Sequence, residues 1–182
     1  MSSNEQIKAG PSGLALPTTA VSRAIDRLLA FTGEIASALW VVLVAVIVVQ
    51  VVARYAFGQG SVMMEELQWH LYAIGFMLGL GFTDMRERNV RIDVLAERFS
   101  PRTRLRIELV GLLLLFLSFC VVVIWYSLPY VATSFQLHET SAAPGGLPYR
   151  WFLKSFLVTG FGLLALAGVS RLTRVWAALR RP

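Results

Sequence analysis

The chain is predicted to be an all-α integral membrane protein of four transmembrane helices with both termini in the cytoplasm. Three observations lead there. Four long apolar stretches, Leu28 to Ala53, Leu67 to Thr83, Leu109 to Val131 and Trp151 to Val169, divide its 182 residues. Each approaches the roughly 20 apolar residues that cross a hydrocarbon core about 30 Å thick. The 17 Lys and Arg residues fall into alternate gaps: Lys8, Arg23 and Arg27 before the first stretch, Arg86, Arg88, Arg91, Arg98, Arg102, Arg104 and Arg106 between the second and third, and Arg171, Arg174, Arg180 and Arg181 after the last. The other two gaps hold Arg54 and Arg150 alone, with Lys154 just inside the fourth stretch. Basic gaps face the cytoplasm, so loops at about 55 to 66 and 132 to 150 face out. Aromatic placement agrees, since Tyr and Trp favour the membrane boundary. Tyr55, Tyr72, Tyr126, Tyr130, Tyr149, Trp69, Trp125 and Trp151 cluster towards the outer ends, Trp176 marks the inner side, and Trp40 is left in mid-span.

Residues 1 to 18, with Pro11, Pro17 and several Ser and Thr, read as a disordered cytoplasmic tail. A signal peptide is not expected, because the first apolar stretch is too long for an h-region and no small-residue cleavage site follows it. The membrane domain is expected over residues 19 to 176, followed by a short tail at 177 to 182. Val21, Ile25, Leu28 and Leu29, with Arg23, Asp26 and Arg27 opposite, suggest an amphipathic lead-in lying on the inner surface. The first helix then spans about 28 to 53, with Glu34 placed one turn inside its cytoplasmic end, interfacial or paired with Arg27.

The second helix is expected at about 63 to 84. Glu65 and Glu66 stand at its outer N-terminus, where the helix dipole favours negative charge; contact with a partner is the alternative. Gly75 and Gly79 form a small-xxx-small pair for helix packing, with Gly81 beyond. In the following loop, Ile92, Leu95, Ala96 and Phe99 recur at helical spacing, which predicts a short amphipathic segment on the inner surface. Ser100-Pro101 is a helix-start signal, Ser capping and Pro suited to the first position. It opens a third helix over 101 to 131, about 46 Å long and therefore tilted or protruding. The fourth helix is expected over about 149 to 172, where Gly160, Gly162 and Gly168 offer further packing sites. Lys154, one turn in, can extend its amine back to the outer surface, or pair with Glu65 or Glu66 at the same depth.

Composition excludes several classes of function. A chain that is 56% hydrophobic holds one compact membrane domain and little else. The positive-inside rule accounts for the net charge of +6, so nucleic-acid binding is not indicated. The single Cys120 lies inside the third stretch and reads as a buried apolar residue, without a disulfide framework. No phosphate cradle, nucleophile elbow or paired catalytic carboxylates occur, so no enzyme, cofactor or metal is expected. No internal repeat suggests an inverted-repeat transporter core. Two other readings remain: a proton-coupled exporter using Glu34, and a haem-bearing respiratory anchor using His70 and His138.

Four runs of residues resemble the small membrane subunit of tripartite ATP-independent periplasmic (TRAP) transporters, the DctQ-like subunit. They are Glu65-Glu66-Leu67, Asn89-Val90-Arg91-Ile92-Asp93-Val94-Leu95, Ser100-Pro101-Arg102, and Pro144-Gly145-Gly146-Leu147-Pro148-Tyr149-Arg150-Trp151 with Lys154 after it. The last run is the most specific, and the resemblance extends from about Ala24 to Leu172. Two positions depart from it: Asn89, where many members carry His, and Leu157, near which many have a proline. The second departure predicts a straighter fourth helix, since proline would remove a backbone bond and kink it.

The resemblance implies a scaffold subunit in the bacterial inner membrane. It would brace a large membrane subunit, which carries the substrate and sodium sites, and would help receive a periplasmic binding protein that captures an organic acid. Arg150, Trp151 and Lys154 would anchor the outer corner at a height set by Gly145, Gly146 and Pro148. Glu65, Glu66, Trp69, Arg91 and Asp93 complete the candidate interface or anchoring residues.

Overall fold

The computed structural model describes residues 16 to 86 and 99 to 180. The disordered tail expected over 1 to 18 falls almost wholly outside the described residues, as do Arg91, Asp93 and most of the amphipathic segment between the second and third helices. The described residues are helical, without strands. Helix α1 is Ala20–Phe57 and α2 is Val62–Met85. Helix α3 is Pro101–Gln136, with a π-helical segment at Leu112–Leu117, and α4 is Arg150–Leu179. Helices α1, α3 and α4 are long and apolar enough to cross a membrane. Helix α2 is not among them, because Glu65, Glu66, Gln68 and His70 crowd its first turns.

Local chemistry sets the helix ends. Thr19 accepts from the Ser22 amide while Ser22 accepts from Thr19, a capping box that starts α1. Gly58 closes α1 at φ 66°, a left-handed conformation open to glycine. Ser100 caps α3 by accepting from the Thr103 amide at 3.3 Å, with Pro101 in the first turn, as the dipeptide predicts. Helix α3 runs past Pro129 to Gln136, although Pro129 has no N–H for the carbonyl four residues back. Helix α4 contains no proline and is continuous over 30 residues.

The surface lead-in expected before the first helix does not exist as a separate element. Residues from Ala20 onward are the opening turns of one 38-residue helix. Leu29 is fully buried against Leu78, Leu163 and Ala167, and packing against α2 and α4 holds those turns in line. Because α1 starts so early, Glu34 lies near its middle, exposed and, among the described residues, not paired with Arg27.

Helix α4 is the hub, touching α1, α2 and α3, whereas α3 packs on α4 and has no substantial contact with α1 or α2. Glycines set the close approaches. A Cβ on Gly81 would lie 2.8 Å from the Leu163 carbonyl oxygen, and one on Gly160 would lie 2.9 Å from the Met77 carbonyl oxygen, so α2 and α4 meet nearly backbone to backbone. The other glycines of α2 differ in what they meet. Gly75 forms a notch for the Trp40 ring, 3.6 Å from where its Cβ would be, and a Cβ on Gly79 would meet nothing within 4 Å. Trp40, puzzling in mid-span, sits in that notch with its ring edge-on to Tyr72 at 5.4 Å.

Candidate functional site

Two polar clusters lie at opposite ends of the helices. At the end that carries the α1–α2 turn and the segment 137 to 149, called here the loop end, residues of α2, α3 and α4 converge on that segment. Glu66, in the first turns of α2, accepts from the Leu147 amide at 2.6 Å and from the Ser141 hydroxyl. Its carboxylate thus clasps a segment some eighty residues on. Ser141 N–H donates to the Leu147 carbonyl, and Gly146 N–H to that of Ala143. Gly145 turns the chain at φ 77°, and a Cβ on Gly146 would lie 2.5 Å from Ser141 and 2.8 Å from Glu66. The paired glycines therefore have separate reasons: one needs a left-handed backbone, the other leaves room for the clasp.

A second tie holds the start of α4. Lys154 pairs with Glu139, and its amine lies 4.0 Å over the Tyr130 ring of α3. The Arg150 amide donates to the Glu139 carbonyl at 3.0 Å, so Glu139 receives both ends of that first turn. Lys154 beside it holds the Glu139 carboxyl below its ordinary value. Pro148 precedes Tyr149, which adopts φ 62° and leads into α4 without a side-chain cap. Trp151 packs edge-on to Phe135 at 5.2 Å, joining the beginning of α4 to the end of α3.

The expected intramembrane partners of Lys154 were Glu65 and Glu66, but neither pairs with it. Glu66 is engaged by the loop, and Glu65 pairs with Arg54 across the α1–α2 turn. Glu139 was not singled out in the sequence, because an isolated acid in a loop carries no pattern. Gln50 and Gln68 were missed for a similar reason: they bond to each other between α1 and α2, with Gln50 buried. His70 is turned onto the Glu66 carbonyl at 2.6 Å, and the His138 ring lies 6.4 Å from that of Phe135. Trp69 is exposed between α1 and α4 at the same end.

The opposite end, where the described chain begins and ends, holds a tighter cluster. Asp26 of α1 accepts from Ser170 at 2.7 Å and pairs with Arg174, both on α4. Arg171 is buried and pairs with Glu108 of α3, and Thr19 bonds Thr173 at 3.0 Å. Arg171 and Arg174, expected only as flanking charges, are thus the bolts between helices. A groove of about 710 Å³ opens beside them, lined by Asp84, Glu108, Leu115, Phe119 and Arg171.

The sequence that builds this arrangement matches a known family. The model of the DctQ component of tripartite ATP-independent periplasmic transporters covers residues 43 to 178. The chain belongs to this family. No individual curated protein matches it. A DctQ component is part of a transporter and not an enzyme. The matched region contains the whole loop-end arrangement, from Glu65 to Lys154, but begins after Asp26, so the Asp26–Arg174 contact is only half inside it.

Proposed function

We propose that this DctQ component is a static brace for the large membrane subunit of a TRAP transporter, and that its loop end receives the periplasmic binding protein. The observation that carries this is the bareness of α3. Leu114, Val121, Val122 and Trp125 are exposed along a helix whose only substantial neighbour among the described helices is α4. An apolar face of that length needs lipid or a partner helix, and in a three-part transporter the large subunit is the partner. The locked contacts on α4 favour bracing over motion: the Gly81 and Gly160 approaches to α2 leave no clearance for sliding.

In this reading α2 makes the fourth crossing, its polar first turns rising into the outer interface, and both termini lie in the cytoplasm of the bacterial inner membrane. The basic gaps support that orientation. Transport is coupled to sodium and carries an organic acid, with selectivity in the other two components. Glu65, Glu66 and Trp69 with the turn at Gly145, Gly146 and Pro148 present the docking surface, while Arg150, Trp151 and Lys154 fix its height.

Photoreactive residues test the brace. Placed at Leu114 and Val122 they should capture the large subunit in cells, and placed at Val41 and Val44 on α1 they should capture lipid. Capture of the large subunit from α1 alone would overturn the assignment of faces. Replacing Arg150, Trp151 and Lys154 together should reduce sodium-driven uptake by the three-component system, and unchanged assembly and uptake would remove the anchoring role.

A further inference from the structure

Two hollows meet at the loop end, sharing Trp69 and Leu153. The larger one, about 480 Å³, is lined by Leu43 and Ile47 of α1, Gln68, Tyr72 and Ala73 of α2, and Leu153 of α4. The smaller one, about 330 Å³, is lined by Glu65, Glu66, His70 and Arg150. Together they form one groove, apolar below and charged above. Leu43 and Ile47 line about 6 Å of α1, between about 15 and 21 Å from its end at Phe57.

We infer that this groove binds a single phospholipid with a zwitterionic, phosphoethanolamine-type headgroup, its acyl chain between α1 and α2 and its headgroup in the charged mouth. The guanidinium of Arg150 faces the phosphate; its backbone N–H is already committed to Glu139, which fixes the base of the side chain. The ammonium has two acceptors. One is Glu65, whose pair with Arg54 leaves its carboxylate half-exposed. The other is His70: since a carbonyl can only accept, Nδ1 donates to Glu66, and in the neutral ring Nε2 is left as an acceptor. Glu65 and Glu66 stand against Arg150 and the Arg54 paired with Glu65, so the mouth carries both signs and matches a headgroup that does the same. Trp69, 76% exposed, provides an indole at the interface between chain and headgroup.

The experiment is native mass spectrometry of the chain copurified with its large subunit, after equilibration with equal amounts of phosphatidylethanolamine and phosphatidylglycerol. One phosphatidylethanolamine should be retained per complex in preference to phosphatidylglycerol. Arg150→Gln should weaken that retention about tenfold in a complex that still assembles. Ala73→Phe, which fills the apolar hollow, should abolish it, and Ile107→Phe, at the other end of the molecule, should leave it unchanged. Equal retention of both lipids, or wild-type retention in Arg150→Gln, overturns the proposal. So does a photoreactive residue at position 69 that crosslinks to the large subunit, since a protein helix would then fill the groove.

Discussion

The two ends of the bundle are held by opposite strategies. At the loop end, beside the Arg54–Glu65 and Gln50–Gln68 ties between α1 and α2, helices also hold a loop: Glu66 reaches a backbone amide and a serine, and Lys154 reaches a partly exposed Glu139. At the other end the contacts are between helices: Arg171 to Glu108 and Arg174 to Asp26, the first with only 9% of the arginine side chain exposed. Charge buried between helices contributes rigidity only while both partners are present. Charge at the rim positions a surface and tolerates loss. In the proposed function, the bolts at the end opposite the loops and the α2–α4 packing would brace, and the loop end would present.

Several substitutions would sharpen or break this contrast. The largest effect is expected from Arg171→Leu, which strands Glu108: a loss of about 3 to 5 kcal/mol, read by unfolding in detergent and by failure to copurify with the large subunit. A loss no greater than that of a rim variant would collapse the distinction. Gly81→Ala follows, at about 1 to 3 kcal/mol, because its Cβ would press on the Leu163 carbonyl, which cannot rotate away. Gly146→Ala makes a still shorter contact, 2.5 Å from the Ser141 Cβ, which no rotation moves, so the loop backbone itself must shift. It should disturb the loop and leave global unfolding nearly unchanged.

Glu66→Ala should act still more locally. With no side-chain oxygen to accept from Leu147 or Ser141, hydrogen exchange at the Leu147 amide should quicken several-fold while the helices remain protected. Unchanged exchange there would mean that the clasp does not order the loop. Lys154→Met should move the Glu139 titration, followed by carboxyl NMR, upward, because its largest cause of depression is removed. In the wild type the folded pKa is the lower one, so the contribution of Glu139 is complete above the ordinary value and is lost as pH falls through the depressed one. The smallest effect belongs to Gly79→Ala, between neutral and about 1 kcal/mol stabilising, since no atom lies within 4 Å and alanine favours the helix.

The helical character, the start of α3 at Ser100-Pro101 and the family were legible in the sequence, because they rest on composition, on contacts within one turn and on a contiguous run of residues. The early start of α1 was not. Asp26 looked like one face of a surface segment, since nothing local signals a partner at Arg174. The packing glycines were legible only as candidates: Gly75, Gly79 and Gly81 share one helix, but a contact with Leu163 and another with Trp40 separate them. Likewise Glu65 and Glu66 are neighbours of one type, yet one closes a turn with Arg54 and the other clasps a distant loop. Hydrophobic patterning and capping act over a few residues, so the sequence by itself determined the helices and their apolar character. Which charges meet, which glycine lies at a crossing and which face of α3 is left bare depend on residues brought together from far along the chain, and only the tertiary structure decided those.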